Sequence, residues 1–495
     1  MSSIKKQFKN DLEEKMDVDL SFDHSKLEKN VKVHHRLSPA RVAVIASLSA
    51  AGLLIIAPVV LILAATLRTT SSVKTTTKKY SVQEIKMAEK NTFKPLNSVT
   101  YPDQERPARS TLSTEEMVAY NNYVSAFYQG IINSNSASKN YSFSPINAYS
   151  ILNELALASS RDELTERFNS LLGLDEEGRR ALIVKAMKAN SYGSESNTTQ
   201  IKNSVFFTNE YPYNQDYINK LTNLYCEAYQ LDFSKDLDKM LEWAEKATNT
   251  KNFIDEKFLD LDEESVIVYF STIYFKNAWQ SKYIKSNNIK DKVYLSGDVT
   301  TDVTYMKHSY GTTGYYDYGK YISFSDYYYQ GQKVTYIVPK EHEDDIYELT
   351  KGINIFEEDN DKLVTNEHQY VMVNLKTPKF SLSCESSFID TLKNIGFEDI
   401  FNSNINSFNG AFDHHVEGDN FYLQKMKQKN FAEFNEDGSI VKSLTMAVGG
   451  MSKSANIVSE EIKTLDVNLD QPFIYIIRDI NGLPIYVGHV DDPNG

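Results

Sequence analysis

Only two cysteines, Cys226 and Cys384, occur in 495 residues. They allow one bridge or two free thiols, and they exclude a disulfide framework or a zinc cluster built from cysteine. Basic charge is also short: 53 Lys and Arg stand against 67 Asp and Glu, giving a net charge of −14. Phosphate contacts need a basic surface, so no nucleic-acid partner is expected. Enzyme signatures are missing too. There is no Gly-x-Ser-x-Gly elbow, no phosphate loop and no dinucleotide fingerprint. "EHEDD" from Glu341 and "DHH" from Asp413 carry metal-ligand residue types, as does the pair His34-His35 in the tail. Contiguous side chains rarely converge on one ion, so these read as solvated loops and tail. The expectation is no metal, no cofactor and no catalysis, although a scattered Ser-His-Asp triad is a matter of geometry that spacing cannot exclude.

What the chain does have is apolar mass, 41% with 12% aromatic, enough for a large core. It also has one long uncharged run, "VAVIASLSAAGLLIIAPVVLILAATL", the 26 residues from Val42 to Leu67. A helix of that length crosses a hydrocarbon core of about 30 Å with some tilt, and a membrane helix tolerates the kink at Pro58. A secretory signal is the competing reading; its apolar core is usually shorter and closer to the start. Lys26, Lys29, Lys32, Arg36 and Arg41 precede the run, against Arg68, Lys74, Lys78 and Lys79 after it. That balance puts the amino end in the cytosol and the rest in a lumen or outside the cell. Residues 1–41 carry a net +2, which leaves −16 beyond the run. The expected layout is a disordered tail over 1–41, a membrane-spanning helix over 42–67, a polar Thr/Ser-rich linker over 68–112 and one folded domain over 113–495. Secretion after cleavage is the alternative.

The domain reads as α+β. "STEE" at Ser113 forms a capping box before Met117, Tyr120, Val124, Phe127 and Ile131, which recur at helical spacing. Strand runs include "TQIKNSVFFTN", "SVIVYFSTIYFKNAW", "VTTDVTYMKH", "KVTYIVPK" and "QYVMVNLKTPKFSLS", with a helical pattern in "SSFIDTLKNIGF". The finish, "PFIYIIRDINGLPIYVGHV", is a hairpin turning at Asn481-Gly482. Strands and helices interleave irregularly, which argues against a doubly wound sheet.

Five segments, in order, resemble the serpin family along residues 113–495. "FSPINAYSILNELAL" (from Phe143) is similar to that family's Ser-Pro strand and helix. "VIVYFSTIYFKNAW" ends in Phe-Lys-x-x-Trp at Trp279, and "TPKFSLSCESSFIDTLKNIGFEDIF" carries Pro-Lys-Phe and Leu-x-x-x-Gly. "VNLDQPFIYII" and "VGHVDDP" match the closing strands. The resemblance implies a large mixed β-sheet with further sheets, surrounding helices and an exposed reactive-centre loop, in a monomer whose partner is a serine protease. It implies bait chemistry: a protease attacks the loop and forms an acyl-enzyme. The cut segment then enters the main sheet as an extra strand, and the protease is distorted before it can deacylate.

On this resemblance "EDGS" is the hinge, with Glu436, Gly438 and Ser439 at its head. Ser439, Val441, Ser443, Thr445 and Ala447 form a small or β-branched face that would turn inward on insertion. Lys453-Ser454 is the favoured reactive bond, suited to a trypsin-like protease. Ser452 and Met451 are the alternatives, the latter for a chymotrypsin-like one. Where the sheet opens, the resemblance implies Ser144 and Trp279, with Asn147, Ser271 and Gln428 in place of the family's second Ser, Asn and His. Bulky Ile440, Lys442 and Leu444 on the other loop face depart from the family pattern. They keep a second expectation open: a non-inhibitory member acting as a binding, chaperone-like or surface protein. "NYS" at Asn140 and "NTT" at Asn197 are glycan sequons should the domain be lumenal.

Overall fold

The computed structural model describes residues 93–134, 140–194, 196–295, 299–342, 344–358, 360–364, 370–413, 418–439 and 463–495. The expected tail, membrane span and first part of the linker lie outside them. Among the described residues no helix is long and apolar enough to cross a membrane.

Three sheets carry the chain. The largest runs, in spatial order, β12 (Phe380–Ser387), β13 (Lys427–Asn435), β14 (Gly438–Ser439), β5 (Ile267–Ala278), β3 (Thr198–Thr208) and β2 (Ser191–Gly193), with β4 (Cys226–Leu231) also on β3. Its pairs are antiparallel except β3 with β4. A second sheet orders β1 (Tyr141–Phe143), β17 (Pro484–Val490), β16 (Phe473–Arg478), β10 (Lys333–Pro339), β9 (Tyr321–Tyr327) and β8 (Tyr315–Asp317). The third holds β15 (Thr464–Asn468), β11 (Val371–Pro378), β7 (Val299–Thr312) and β6 (Ile289–Leu295). The run "QYVMVNLKTPKFSLS" thus becomes two strands in two sheets. Pro378 has no N–H to extend a ladder, and the chain leaves one sheet for the other at Lys379.

Helix α1 (Thr114–Asn133) starts from the Ser113–Glu116 capping box and buries Tyr120, Tyr123, Val124, Phe127 and Ile131. Helix α2 (Pro145–Ala158) has proline at its first position, where no N–H is needed, and is buried along most of its length, with Asn147, Ser150, Asn153 and Glu154 buried beside its apolar side chains. Around the sheets lie α3 (Asp162–Leu172), α4 (Glu176–Ala189), α5 (Gln215–Asn223), α6 (Leu237–Thr248), α7 (Glu256–Leu259), α8 (Ile346–Thr350) and α9 (Ile389–Asn394). In the stretch "SSFIDTLKNIGF" the helix is only the six residues of α9, and Gly396 follows with φ +94°. Contacts with the domain begin well before Ser113: Leu96, Tyr101 and Leu112 pack on the core, and Phe93 on a second cluster around Phe206 and Trp243. Cys226 and Cys384 are both buried and free, on the opposite flanking strands β4 and β12.

The β16–β17 hairpin turns through Asp479–Leu483. Asp479 accepts from the Asn481 and Leu483 amides and from Asn190 Nδ2, at 2.9–3.0 Å. Burial pushes its carboxyl up to about 6, although those bonds pull the other way. An unfolded Asp titrates near about 3.9, so its contribution is full below that value and is lost as pH rises through about 6. Asp479→Asn is expected to remove up to about 3 kcal/mol of pH-dependent stability over that window. Chemical unfolding at pH 4.5 and 7 checks it: a variant with the wild-type slope contradicts the assignment.

Candidate functional site

The main sheet is parted along its middle. Strands β5 and β13 pair outward with β3 and β12, and they meet each other only through the two residues of β14. Below β14 two adjoining cavities of about 460 Å³ and 540 Å³ follow the gap, with Tyr269, Phe270, Met426 and Lys427 shared between them. Both central strands therefore present ladder edges that do not pair with each other across this slot.

At the head of the slot stand the residues expected as the hinge. Gly438 lies opposite Ala278 and Asn435, and Ser439 opposite Asn277 and Phe434. Gly438 has φ +154°, and a Cβ there would stand 2.2 Å from the Asn277 carbonyl oxygen. Only glycine fits. Ser439 is buried and its hydroxyl shares a 2.7 Å hydrogen bond with Tyr328 OH. The Tyr328 ring stacks on Trp279 at 4.7 Å and 11°. Trp279 Nε1 in turn donates to the Asn435 carbonyl at 2.8 Å. Glu436 is buried on the other side of this turn and accepts from Asn288 Nδ2 at 2.5 Å and Lys379 Nζ at 3.1 Å. Burial alone would raise its carboxyl; the Asn288 and Lys379 bonds outweigh that and hold it below the usual carboxylate range. The stability it adds is present above the unfolded pKa and is lost as pH falls through the folded one.

Deeper down, Gln428 Oε1 accepts from the Ser144 amide at 2.7 Å and Gln428 Nε2 donates to the Ser144 carbonyl at 3.3 Å. Ser144 Oγ donates to the Ile485 carbonyl at 2.9 Å. Asn430, two residues along the same face of β13, donates to the Ser142 carbonyl and to Gln428 Oε1. Asn147 and Ser271 line the same slot, but Asn147 Oδ1 and Ser271 Oγ are buried with no hydrogen-bond partner. Of the five residues expected where the sheet opens, the structure thus bonds Ser144 to Gln428 and places Trp279 at the head. It leaves Asn147 and Ser271 facing the gap. Sequence reading passed over Asn288, Tyr328, Lys379 and Asn430. Only Asn430 had a local signal, its period-two spacing from Gln428. Val441, Ser443, Thr445, Met451, Ser452, Lys453 and Ser454 lie outside the described residues.

Both sequon asparagines are engaged by the fold. Asn140 Nδ2 donates to the Asp492 carbonyl while its Oδ1 accepts from the Asp491 and Asp492 amides. Asn197 is buried and accepts from the Ala278 amide at 3.0 Å. Among the described residues no group of three His, Cys, Asp or Glu is placed to hold a metal ion.

The largest sheet is thus parted at its centre, with Gly438 and Ser439 seated between β13 and β5 at the head of the gap. The family model described as "Serpin (serine protease inhibitor)" matches residues 119–493, and the chain belongs to the serpin family, a family of protease inhibitors rather than of enzymes, which also takes in the fold of thyroxine-binding globulin. Serpin-ZXA of rice (Oryza sativa subsp. japonica) is 25% identical over 380 residues, which are 72% of this chain and 91% of that protein. Among solved structures, the thermophilic serpin tengpin in its native state superposes with a TM-score of 0.63 at 20% identity, covering 79% of this chain and 97% of the other. Cleaved Serpin 42Da superposes equally well, with a TM-score of 0.63 at 19% identity over 77% of this chain and 100% of that one. These likenesses show the shared fold.

Proposed function

We propose that the domain inhibits serine proteases by taking its own cleaved loop into the slot between β5 and β13, and that residues 42–67 tether it to a membrane with the domain on the lumenal or outer side. The observation that carries the reading is Gly438–Ser439 already paired to both central strands at the head of the slot. Continuing that pairing one residue at a time would set Ser443 opposite Asn430, and Thr445 between Ser271 and Gln428. Polar side chains would then meet the buried Ser271 Oγ, which lacks a partner. The inward face of the loop, Ser439 to Ala447 in alternate positions, is small or β-branched. Strand pairing is the driving force once the loop is cut, and a kinetic barrier holds the uncut form. Lys453 is the proposed bait for a trypsin-like pocket, which pairs a carboxylate with a basic side chain.

The test is to mix the protein with trypsin-like and chymotrypsin-like proteases and look for an adduct that survives denaturing gel electrophoresis, with mass spectrometry of the cut site. A covalent adduct with cleavage after Lys453 is the expected result, and Lys453→Ala is expected to lower the rate with trypsin by about a hundredfold, or about 2.7 kcal/mol, without changing the melting temperature. Clean cleavage by every protease with no adduct favours the non-inhibitory role instead. Orientation is tested separately, by protease protection of tagged termini in sealed vesicles.

A further inference from the structure

The chain ahead of α1 is laid along the outer side of the main sheet. Strand β4 pairs only with β3 among the described strands, so its other side is an edge that invites pairing. Leu96 N donates to the Ala228 carbonyl at 2.6 Å. The Asn97 side chain imitates a peptide group there: Oδ1 accepts from the Ala228 amide, and Nδ2 donates to the Cys226 carbonyl and to Thr222 Oγ1, all at 2.9 Å. Tyr101 OH then donates to the Asn203 carbonyl of β3 at 3.1 Å, at the residue that pairs with Cys226, the first of β4. Gln104 accepts from the Gly193 amide of β2 at 2.9 Å. Finally the Ser110 amide donates to Asn481 Oδ1 at 2.8 Å, on the turn of the β16–β17 hairpin.

We propose that residues 93–110 act as a strap that slows the sliding of the β2–β3–β4 flank against the rest of the fold, and so sets the rate at which the loop is accepted. The inference rests on the slot being the loop's acceptance site. For a strand to enter, β5 must move relative to β13, and β2, β3 and β4 are laddered to β5. The strap is fastened to that flank at Leu96, Asn97, Tyr101 and Gln104. Its far end is fastened to a hairpin of another sheet. Sliding of the flank against that hairpin therefore strains the fastenings at both ends.

The experiment uses the full chain in detergent micelles with Asn97→Ala and, separately, Leu96→Pro, which removes the donor to Ala228. Each uncleaved protein is incubated, and the growth of a higher-melting, non-inhibitory species is followed beside hydrogen exchange at the Ala228 amide. The expected result is faster exchange at Ala228 and conversion about tenfold faster in both variants, equivalent to about 1.4 kcal/mol. Faster exchange with an unchanged conversion rate overturns the strap, as does unchanged exchange in both variants. A wild-type protein whose melting temperature does not rise even after loop cleavage overturns the acceptance reading, and the strap with it.

Discussion

Gly438→Pro is expected to leave the loop cleavable while the protease adduct disappears. The residue sits where the loop first joins the sheet, between Asn435 and Ala278, and its φ of +154° is closed to proline, whose ring fixes φ near about −65°. Alanine already fails on space, since its Cβ would lie 2.2 Å from the Asn277 oxygen and 2.9 Å from Ala278 Cα. Neither neighbour is a flexible side-chain end, so the hinge has to lift out of its seat. Ser439→Arg reaches the same end differently: it replaces a buried hydroxyl bonded to Tyr328 with a charge that has no partner there, at a cost of about 3–5 kcal/mol. A hinge lifted at the head delays strand entry, and the delayed acyl-enzyme hydrolyses first. The number of inhibitor molecules consumed per protease is expected to rise by at least about tenfold, a shift of about 1.4 kcal/mol in the competition between trapping and release. Titrating a fixed amount of trypsin with each variant measures it. A stoichiometry equal to wild type in both would rule out entry through this hinge.

The order of the fold was legible because its strongest elements carry their own punctuation. The Ser113 box starts α1, Pro145 starts α2, and Asn481-Gly482 turns the last hairpin, each a local signal with a local cause. Helix α6 had its signal too, with Met240, Trp243, Ala244 and Ala247 on one face, but it lay between strand runs that drew the reading. The turn at Gly438 was singled out in "EDGS" through its resemblance to the family's hinge, and the structure seats Gly438 and Ser439 between β13 and β5. What holds the hinge was not visible. Lys379, Asn288 and Tyr328 reach Glu436 and Ser439 across sequence separations of 57, 148 and 111 residues. No spacing rule links such partners, because they come from the ends of strands in three different sheets. The same holds for the linker: a polar, aperiodic stretch reads as free chain, yet from Phe93 onward it bonds to strands β4, β3 and β2, to helices α4 and α5 and to the last hairpin's turn.

Glu154→Met is expected to stabilise the uncleaved domain, most strongly at neutral and alkaline pH. Glu154 lies on α2 beneath β4 and β5, fully buried, and neither carboxyl oxygen has a hydrogen-bond partner. Burial raises its carboxyl well above the ordinary range, with the Cys226 thiol beside it offering only slight relief. Burial likewise raises the Cys226 thiol, and the neighbouring Glu154 carboxyl raises it further. The fold therefore holds the acid neutral, whereas the unfolded chain releases its proton above about pH 4.3. Its contribution is full below that value and is lost as pH rises toward the folded pKa, at up to about 1.4 kcal/mol for each pH unit. Methionine is close in volume, flexible and free of polar atoms to satisfy, so it removes both the proton-linked loss and the unpaired oxygens. Glu154→Gln separates the two, since it removes the ionisation but keeps an amide with nowhere to bond. Melting temperature followed from pH 7 to 9, above the range in which Asp479 titrates, should fall for wild type and stay nearly level for both variants, with the methionine form highest throughout. A wild-type curve parallel to both would mean that Glu154 meets a partner on ionising. The buried acid would then not be a source of strain in the uncleaved fold.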